Sequence, residues 1–169
     1  MEQEEIENNK DNKDFVLKAV KEKGKNLEFA SEALQDDKEV VMEALKQDGE
    51  ALEFASDRLK DDKEVIMFAV SKSPWTAYYA SERLKADKEV ILTSVKEYGQ
   101  TLYYASEELR DDEEVVRAAI TNKGLIIKYA SFRLRDNKEL AQIAVKQNQE
   151  AYHFLSSRLK QDEEIKQLL

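Results

Sequence analysis

The sequence predicts an all-α fold, a two-layer α-solenoid of 25-residue helix-turn-helix repeats with an expected right-handed superhelix, and three observations predict it. Sliding the chain against itself by 25 residues aligns six units without insertion: 12–36, 37–61, 62–86, 87–111, 112–136 and 137–161. A fixed period of this size marks stacked supersecondary units. Apolar residues fall at helical spacing in both halves of a unit, as at Val40, Val41, Ala44 and Leu45, then Leu52, Ala55 and Leu59. Each unit also opens on a residue suited to an N-cap. A single hairpin has too few apolar side chains to offset the entropy of ordering it, so the units are expected to hold one another.

The elements follow in chain order. Residues 1–11, MEQEEIENNKD, read as a polar acidic tail, 12–161 as a single helical-repeat domain of six units, and 162–169 as an amphipathic capping helix. Asp37 is a natural N-cap with Glu39 in the first turn, and Asp62, Asp87, Asp112, Asn137 and Asp162 repeat the signal. Gly24, Gly49, Gly99 and Gly124 are expected to stop the first helix in the left-handed conformation, and Asn148 to do the same in the sixth unit. A second helix of about ten residues is then expected, ending in Lys or Arg. In the third unit the stretch SKSPWTAYYAS holds the only proline and the only tryptophan. Ser73 reads as N-cap, Pro74 as the first helical residue and Trp75 as the second, so the second helix is started rather than the first one stopped.

The string D-K-E-V-V/I-x-x-A-V-K-x-x-G-x-x-L-x-Y-A-S-x-x-L-K/R resembles the repeat of the domain of unknown function 4116 family, found in bacterial and protist proteins. Residues 37–136 match it closely; 12–36 and 137–161 match with departures such as Ala33, Gln149 and Leu155. The resemblance implies a helical repeat and supplies no functional residues.

Composition narrows the function classes. No run of 18 apolar residues is present, so no membrane span is expected, and MEQEEIENNKD does not read as a secretory signal. The chain has no cysteine, which removes disulfides, thiolate zinc sites and thiol nucleophiles and fits a cytoplasmic location. The formal charge is -9; residues 1–11 hold five acids and one lysine, which leaves -5 for the rest. Such a surface is not expected to bind nucleic acid, whose affinity comes from counterion release at a basic face.

Candidate chemistry resolves largely into structure. Ser31, Ser56, Ser81, Ser106, Ser131 and Ser156 recur once per unit; a catalytic serine is needed once, so they read as small residues that let helices approach. Phe29, Phe54, Tyr79, Tyr104, Tyr129 and Phe154 read as a core ladder. The pairs Asp36–Asp37, Asp61–Asp62 and Asp111–Asp112 lack the spacing and glycine of a calcium loop and read as helix caps. Arg58, Arg83, Arg133 and Arg158, with Lys60, Lys85, Arg110, Arg135 and Lys160, could form a row that grips phosphates or an acidic partner, but read more readily as local neutralisation of helix C-termini and of the acidic start that follows. His153 is the only histidine, at a position held by Glu28, Glu53, Tyr78, Tyr103 and Lys128 elsewhere, and reads as a surface residue. No catalytic, metal or cofactor residue is assigned.

One stripe departs from the repeat. The positions of Glu50, Glu53 and Asp57 lie about 200° around the second helix from its core. They become Trp75, Tyr78 and Glu82, then Gln100, Tyr103 and Glu107, then Leu125, Lys128 and Phe132. If exposed, Trp75, Tyr78, Tyr103, Leu125 and Phe132, with Tyr98 as a weaker member, suggest a contact site for a protein or peptide. If superhelical twist folds the stripe onto the adjacent unit, Trp75 is ordinary core. The expected function is a non-enzymatic interaction scaffold, monomeric or weakly dimeric. Two rivals remain: self-association through the same patch, and an enzyme acting on a base or small molecule held between the aromatics.

Overall fold

The structure is a computed structural model describing residues 1–169. It is all-α, without strands, and regular 25-residue repeats pack sequentially. The chain divides into two compact units, Met1–Leu84 and Lys85–Leu169.

Each repeat begins with a ten-residue α-helix: Lys13–Glu22, Lys38–Gln47 and Lys63–Lys72 in the first unit, Lys88–Glu97, Glu113–Asn122 and Lys138–Gln147 in the second. The capping residues do what their chemistry suggests. Asp37 Oδ1 accepts from the N–H groups of Glu39 and Val40 at 3.0 and 3.3 Å. Asp62, Asp87, Asp112 and Asp162 do likewise, and Asn137 accepts from Leu140. Side-chain oxygens thus satisfy N-terminal donors that a helix cannot pair internally.

The second arm is not one α-helix. In the second repeat Gly49–Phe54 forms a 3₁₀ helix, Ala55 and Ser56 are extended, and Asp57–Lys60 is one further α-turn. The same three-part arm recurs as Gly24–Phe29 with Glu32–Gln35, and as Gly124–Tyr129 with Phe132–Arg135. Apolar spacing over so few residues suits either helix type, which is why the sequence read as a continuous α-helix.

The break explains the serines. Ser56 Oγ accepts from Leu59 N–H at 3.2 Å, making it the N-cap of the short α-turn, and Ser106, Ser131 and Ser156 repeat the contact. They are caps rather than spacers for close helix packing. Their backbone also ties repeats together: Ser56 N–H donates to Gln35 O at 3.0 Å and Ser131 N–H to Arg110 O at 2.9 Å.

The glycines have a different cause from the one expected. No residue has positive φ, and Lys23, Asp48 and Lys123, each just before a glycine, are extended, with Asp48 at φ -151°. Asn148 is likewise extended at φ -154° and uses its side chain to accept from Glu150 N–H. What excludes a side chain is the next long helix. A Cβ on Gly24 would sit 2.5 Å from Ala44 O, and one on Gly99 would sit 2.7 Å from Ala119 O. Gln149 is exposed at this register and instead donates to the carbonyls of Leu168 and Leu169 at 2.9 and 2.6 Å.

Pro74 occupies the first position of its segment, as expected, but that segment is the 3₁₀ helix Pro74–Tyr79. Ser73 contributes its carbonyl, which accepts from Thr76 N–H at 2.9 Å and Thr76 Oγ1 at 2.7 Å, rather than a capping side chain.

Within each unit the core is built from the inward Val, Ile and Ala of the long helices and the Leu, Ile and Ala of the second arms. Val40, Val41, Leu45, Leu52 and Leu59 represent it in the first unit, Val115, Ile120, Ile127 and Leu134 in the second. The once-per-repeat aromatics Phe29, Phe54, Tyr79, Tyr104, Tyr129 and Phe154 are half-buried rather than core. A 3₁₀ turn places them beside, not beneath, the buried Ala–Leu pair. Residues 1–11, read from the sequence as a tail, contain the helix Gln3–Asn8, whose Ile6 is buried. At the other end Ile165 of Glu163–Lys166 is buried.

Candidate functional site

The polar chemistry that recurs from repeat to repeat joins neighbours. Ser56 Oγ donates to Asp36 Oδ1, Arg58 Nε donates to the same oxygen at 2.9 Å, and Arg58 Nη2 reaches Asp36 O at 2.6 Å. The clasp recurs as Asp61–Ser81–Arg83, Asp111–Ser131–Arg133 and Asp136–Ser156–Arg158. Asp36 is therefore an acceptor for the next repeat, and only Asp37 of that pair is a helix cap. The arginines neutralise the preceding repeat, not the following one. The Ser56 hydroxyl, then Arg58, holds the Asp36 carboxyl below its ordinary range. Ser131 and Arg133 do the same for Asp111.

Two registers lack the clasp. At the start of the second unit Ala86 replaces Asp and Glu108 replaces Arg, a paired change that removes both charged partners of the clasp. The Glu108 carboxyl is instead lowered by its own backbone N–H and by Ser106. In the first repeat Ala33 stands at the arginine position, and Ser31 Oγ is buried without a hydrogen-bond partner.

A second ladder runs along the long helices. Lys13 meets Asp37 and Glu39 at 2.7 and 2.8 Å, Lys38 meets Asp62 and Glu64 at 2.8 Å each, and Lys138 meets Asp162 and Glu164 at 3.0 Å each. Where Glu113 takes the lysine position, Arg117 bridges Glu113 and Glu139 at 2.7 Å each. These exposed pairs add little energy individually.

The outward stripe is exposed where the sequence reading left a choice. Trp75 is 44% exposed, Tyr78 49%, Tyr103 55% and Phe132 84%, whereas Leu125 and Tyr98 are half-buried. In the first unit Trp75 Nε1 donates to Glu50 Oε1 at 3.1 Å, and Lys25 pairs with the other oxygen of Glu50. Lys25, and more weakly the indole, keeps that carboxyl below its usual range against some desolvation. Tyr78 meets Tyr79 edge-on at 5.0 Å between centroids.

In the second unit Tyr103 packs against Tyr129 at 4.9 Å, and Lys128 Nζ lies 4.8 Å from the Tyr129 ring centre. Arg135 stacks over Phe132, its Cζ 4.2 Å from the ring centre. Beside this stack lies a groove of about 560 Å³ whose rim carries Glu107, Arg110, Lys128, Tyr129, Phe132 and Arg135. Phe132 also borders a second groove of about 320 Å³ with Phe154 and Leu155. It is a ridge between the two.

The sequence placed Lys128 on the stripe without making it a contact residue, put Arg110 and Arg135 in a basic row read as local neutralisation, and gave no sign of Phe154 as a member of this surface. For the two arginines a signal was present. At the register of Arg110 and Arg135 the other repeats have Gln35, Lys60, Lys85 and Lys160. Gln35 donates to Glu28 O at 3.2 Å, Lys60 to Glu53 O and Lys160 to His153 O at 2.7 Å, each closing the end of a 3₁₀ helix. Arginine appears only in the two repeats that build the larger groove. Its Nε is buried without a hydrogen-bond partner in both cases. His153 is on the surface, 3.7 Å from Glu150. No group of three or more His, Cys, Asp or Glu is placed to hold a metal ion.

Sequential repeats, inter-repeat clasps and an exposed aromatic register define the class: an α-helical repeat protein. A family model described as Domain of unknown function (DUF4116) matches residues 12–60, 37–85, 62–110, 87–135 and 112–160, each match spanning two repeats. The chain belongs to that family. No curated protein and no solved structure matches it. No helix is long and apolar enough to cross a membrane.

Proposed function

We propose that the chain is a non-enzymatic scaffold that captures another protein through the outward face of its second arms. The observation carrying this is Phe132, 84% exposed at a register where the other repeats have Glu32, Asp57, Glu82, Glu107 and Ser157. A phenylalanine replacing a carboxylate at a solvent-facing position gains nothing for the fold, and exposed aromatics between grooves are the usual anchors of an interface. Tyr103 in the same unit, and Trp75 and Tyr78 in the other, add to it. The serines and acidic pairs that offered themselves for chemistry are engaged as caps and clasps, which favours binding over catalysis. A chain without cysteine suits the cytoplasm.

The test is affinity capture by the full chain beside a Phe132→Ser/Tyr103→Ser variant and a Trp75→Ala/Tyr78→Ala variant, read by mass spectrometry. Proteins retained by the parent and lost from a variant with unchanged circular dichroism support the proposal. Identical retention by all three removes it. Light scattering without added partner separates the self-association alternative, in which Phe132→Ser lowers the mass.

A further inference from the structure

Resting on that scaffold reading, we infer that the surface of the second unit takes an acidic peptide segment with an apolar side chain beside its carboxylates. Three cations, Arg110, Lys128 and Arg135, face the larger groove against one carboxylate, Glu107. That is a local excess of positive charge in a chain whose formal charge is -9. Charge complementarity of this kind selects a partner and its register.

The cations are held for the purpose in different ways. At the Arg110 and Arg135 register Gln35, Lys60 and Lys160 fold back to the carbonyl seven residues earlier. The Arg135 guanidinium instead lies over Phe132, its Cζ 4.2 Å from the ring centre. A planar guanidinium is suited to two parallel hydrogen bonds with one carboxylate, which a lysine cannot make. Arg110 approaches only Glu107, at 4.0 Å, too long for a strong pairing. Lys128 is spread over Tyr129 and Phe154, 4.8 and 6.0 Å from the ring centres, without a carboxylate. By contrast, Arg133 on the same short helix is committed to Asp111.

The apolar half of the specificity comes from the second groove. Phe154 and Leu155 line it with Phe132 and Arg135, and Lys128 Nζ lies 6.0 Å from the Phe154 ring centre. A segment running over Phe132 therefore meets basic groups with an aromatic and an aliphatic side chain beside them. A nucleic acid is the competing polyanion, but the clasped aspartates and the net charge disfavour extended phosphate tracking.

The experiment is selection of displayed random peptides, about twelve residues long, on the intact chain, a length suited to an extended segment. The selected peptides are then synthesised with a fluorophore and titrated by anisotropy. The expected result is enrichment of Asp and Glu next to Phe, Trp or Leu, with binding weakened about tenfold or more by Arg110→Gln/Arg135→Gln and separately by Lys128→Gln. Binding should also weaken as NaCl rises from about 0.05 to 0.3 M. Neutral or basic peptides that bind, respond to Phe132→Ser and ignore the Arg→Gln changes would overturn the acidic assignment while leaving the scaffold reading intact. Tighter binding of a labelled single-stranded oligonucleotide than of any selected peptide overturns it too. Failure to select any peptide, together with identical capture by the aromatic variants, removes both.

Discussion

The two compact units share one chassis and differ in what they show to solvent. Residues 1–84 contain thirteen Lys and Arg against twenty-one Asp and Glu, a formal -8, whereas residues 85–169 contain fourteen against fifteen, a formal -1. Each has two Asp–Ser–Arg clasps, Asp-capped long helices and glycines under a neighbouring helix. The shared residues are those that join one repeat to the next. The differing residues sit on the outward register, away from the buried core, and it is there that Trp75 stands where the preceding repeat has Glu50 and Phe132 where it has Glu107. In a repeat protein, then, a departure from the internal consensus is informative only after its register is known to face solvent.

If the chassis is equivalent in both units, equal damage should follow from equal changes. Leu52→Ala and Leu102→Ala remove fully buried side chains at the same register, and each is expected to cost about 2–5 kcal/mol in denaturant unfolding. A much smaller loss in one would show that its core has room to collapse. Next in size is the glycine contact. Gly99→Ala pushes a methyl against Ala119 O and should cost about 1–3 kcal/mol, while Gln149→Ala, at the exposed last copy of that register, should change melting little. Equal effects would break the close-approach explanation and return the glycines to a conformational role.

The clasp tests the difference between registers more finely. Ala86→Asp with Glu108→Arg installs in the second unit the charges its other repeats carry. It should raise the melting temperature by about a degree or two, whereas Ala86→Asp alone, which sets a carboxylate beside Glu108, should not. A fall in the double variant would show that this register is built for something other than the clasp. The smallest effect is on pH. Asp36, Asp61, Asp111 and Asp136 all titrate below their ordinary range because a serine hydroxyl and then an arginine stabilise the charged form. Their contribution is complete above the unfolded value of about 4 and disappears as pH falls through the lower folded values. Melting should therefore hold steady from neutral pH to about 5 and decline below about 4. Asp36→Asn should flatten that decline slightly, and the Ala86→Asp/Glu108→Arg chain should steepen it.

Much of this was legible in the chain itself. The period, the long helix, its Asp or Asn cap and Pro74 as the first residue of a helical segment all rest on local chemistry that repeats six times. Spacing set the aromatic register opposite the core but left its exposure open; Trp75, Tyr78, Tyr103 and Phe132 are exposed, and Leu125 and Tyr98 half-buried. The second arm was not legible, because leucine and alanine three and four apart suit a 3₁₀ turn followed by a break as well as an α-helix. The recurring serine, followed by an acidic residue in most repeats, was a readable N-cap signal for that break.

Sequence by itself thus determined the repeat length, the start of every long helix and the chain of apolar positions, since each depends on groups a few residues apart. Only the tertiary structure decided that glycine yields to a neighbouring carbonyl, that Asp36 belongs to the next repeat, and that Arg110 and Arg135 leave the backbone to frame a groove. Those outcomes depend on atoms roughly one repeat apart in the chain, whose approach is set by packing and cannot be read from local spacing.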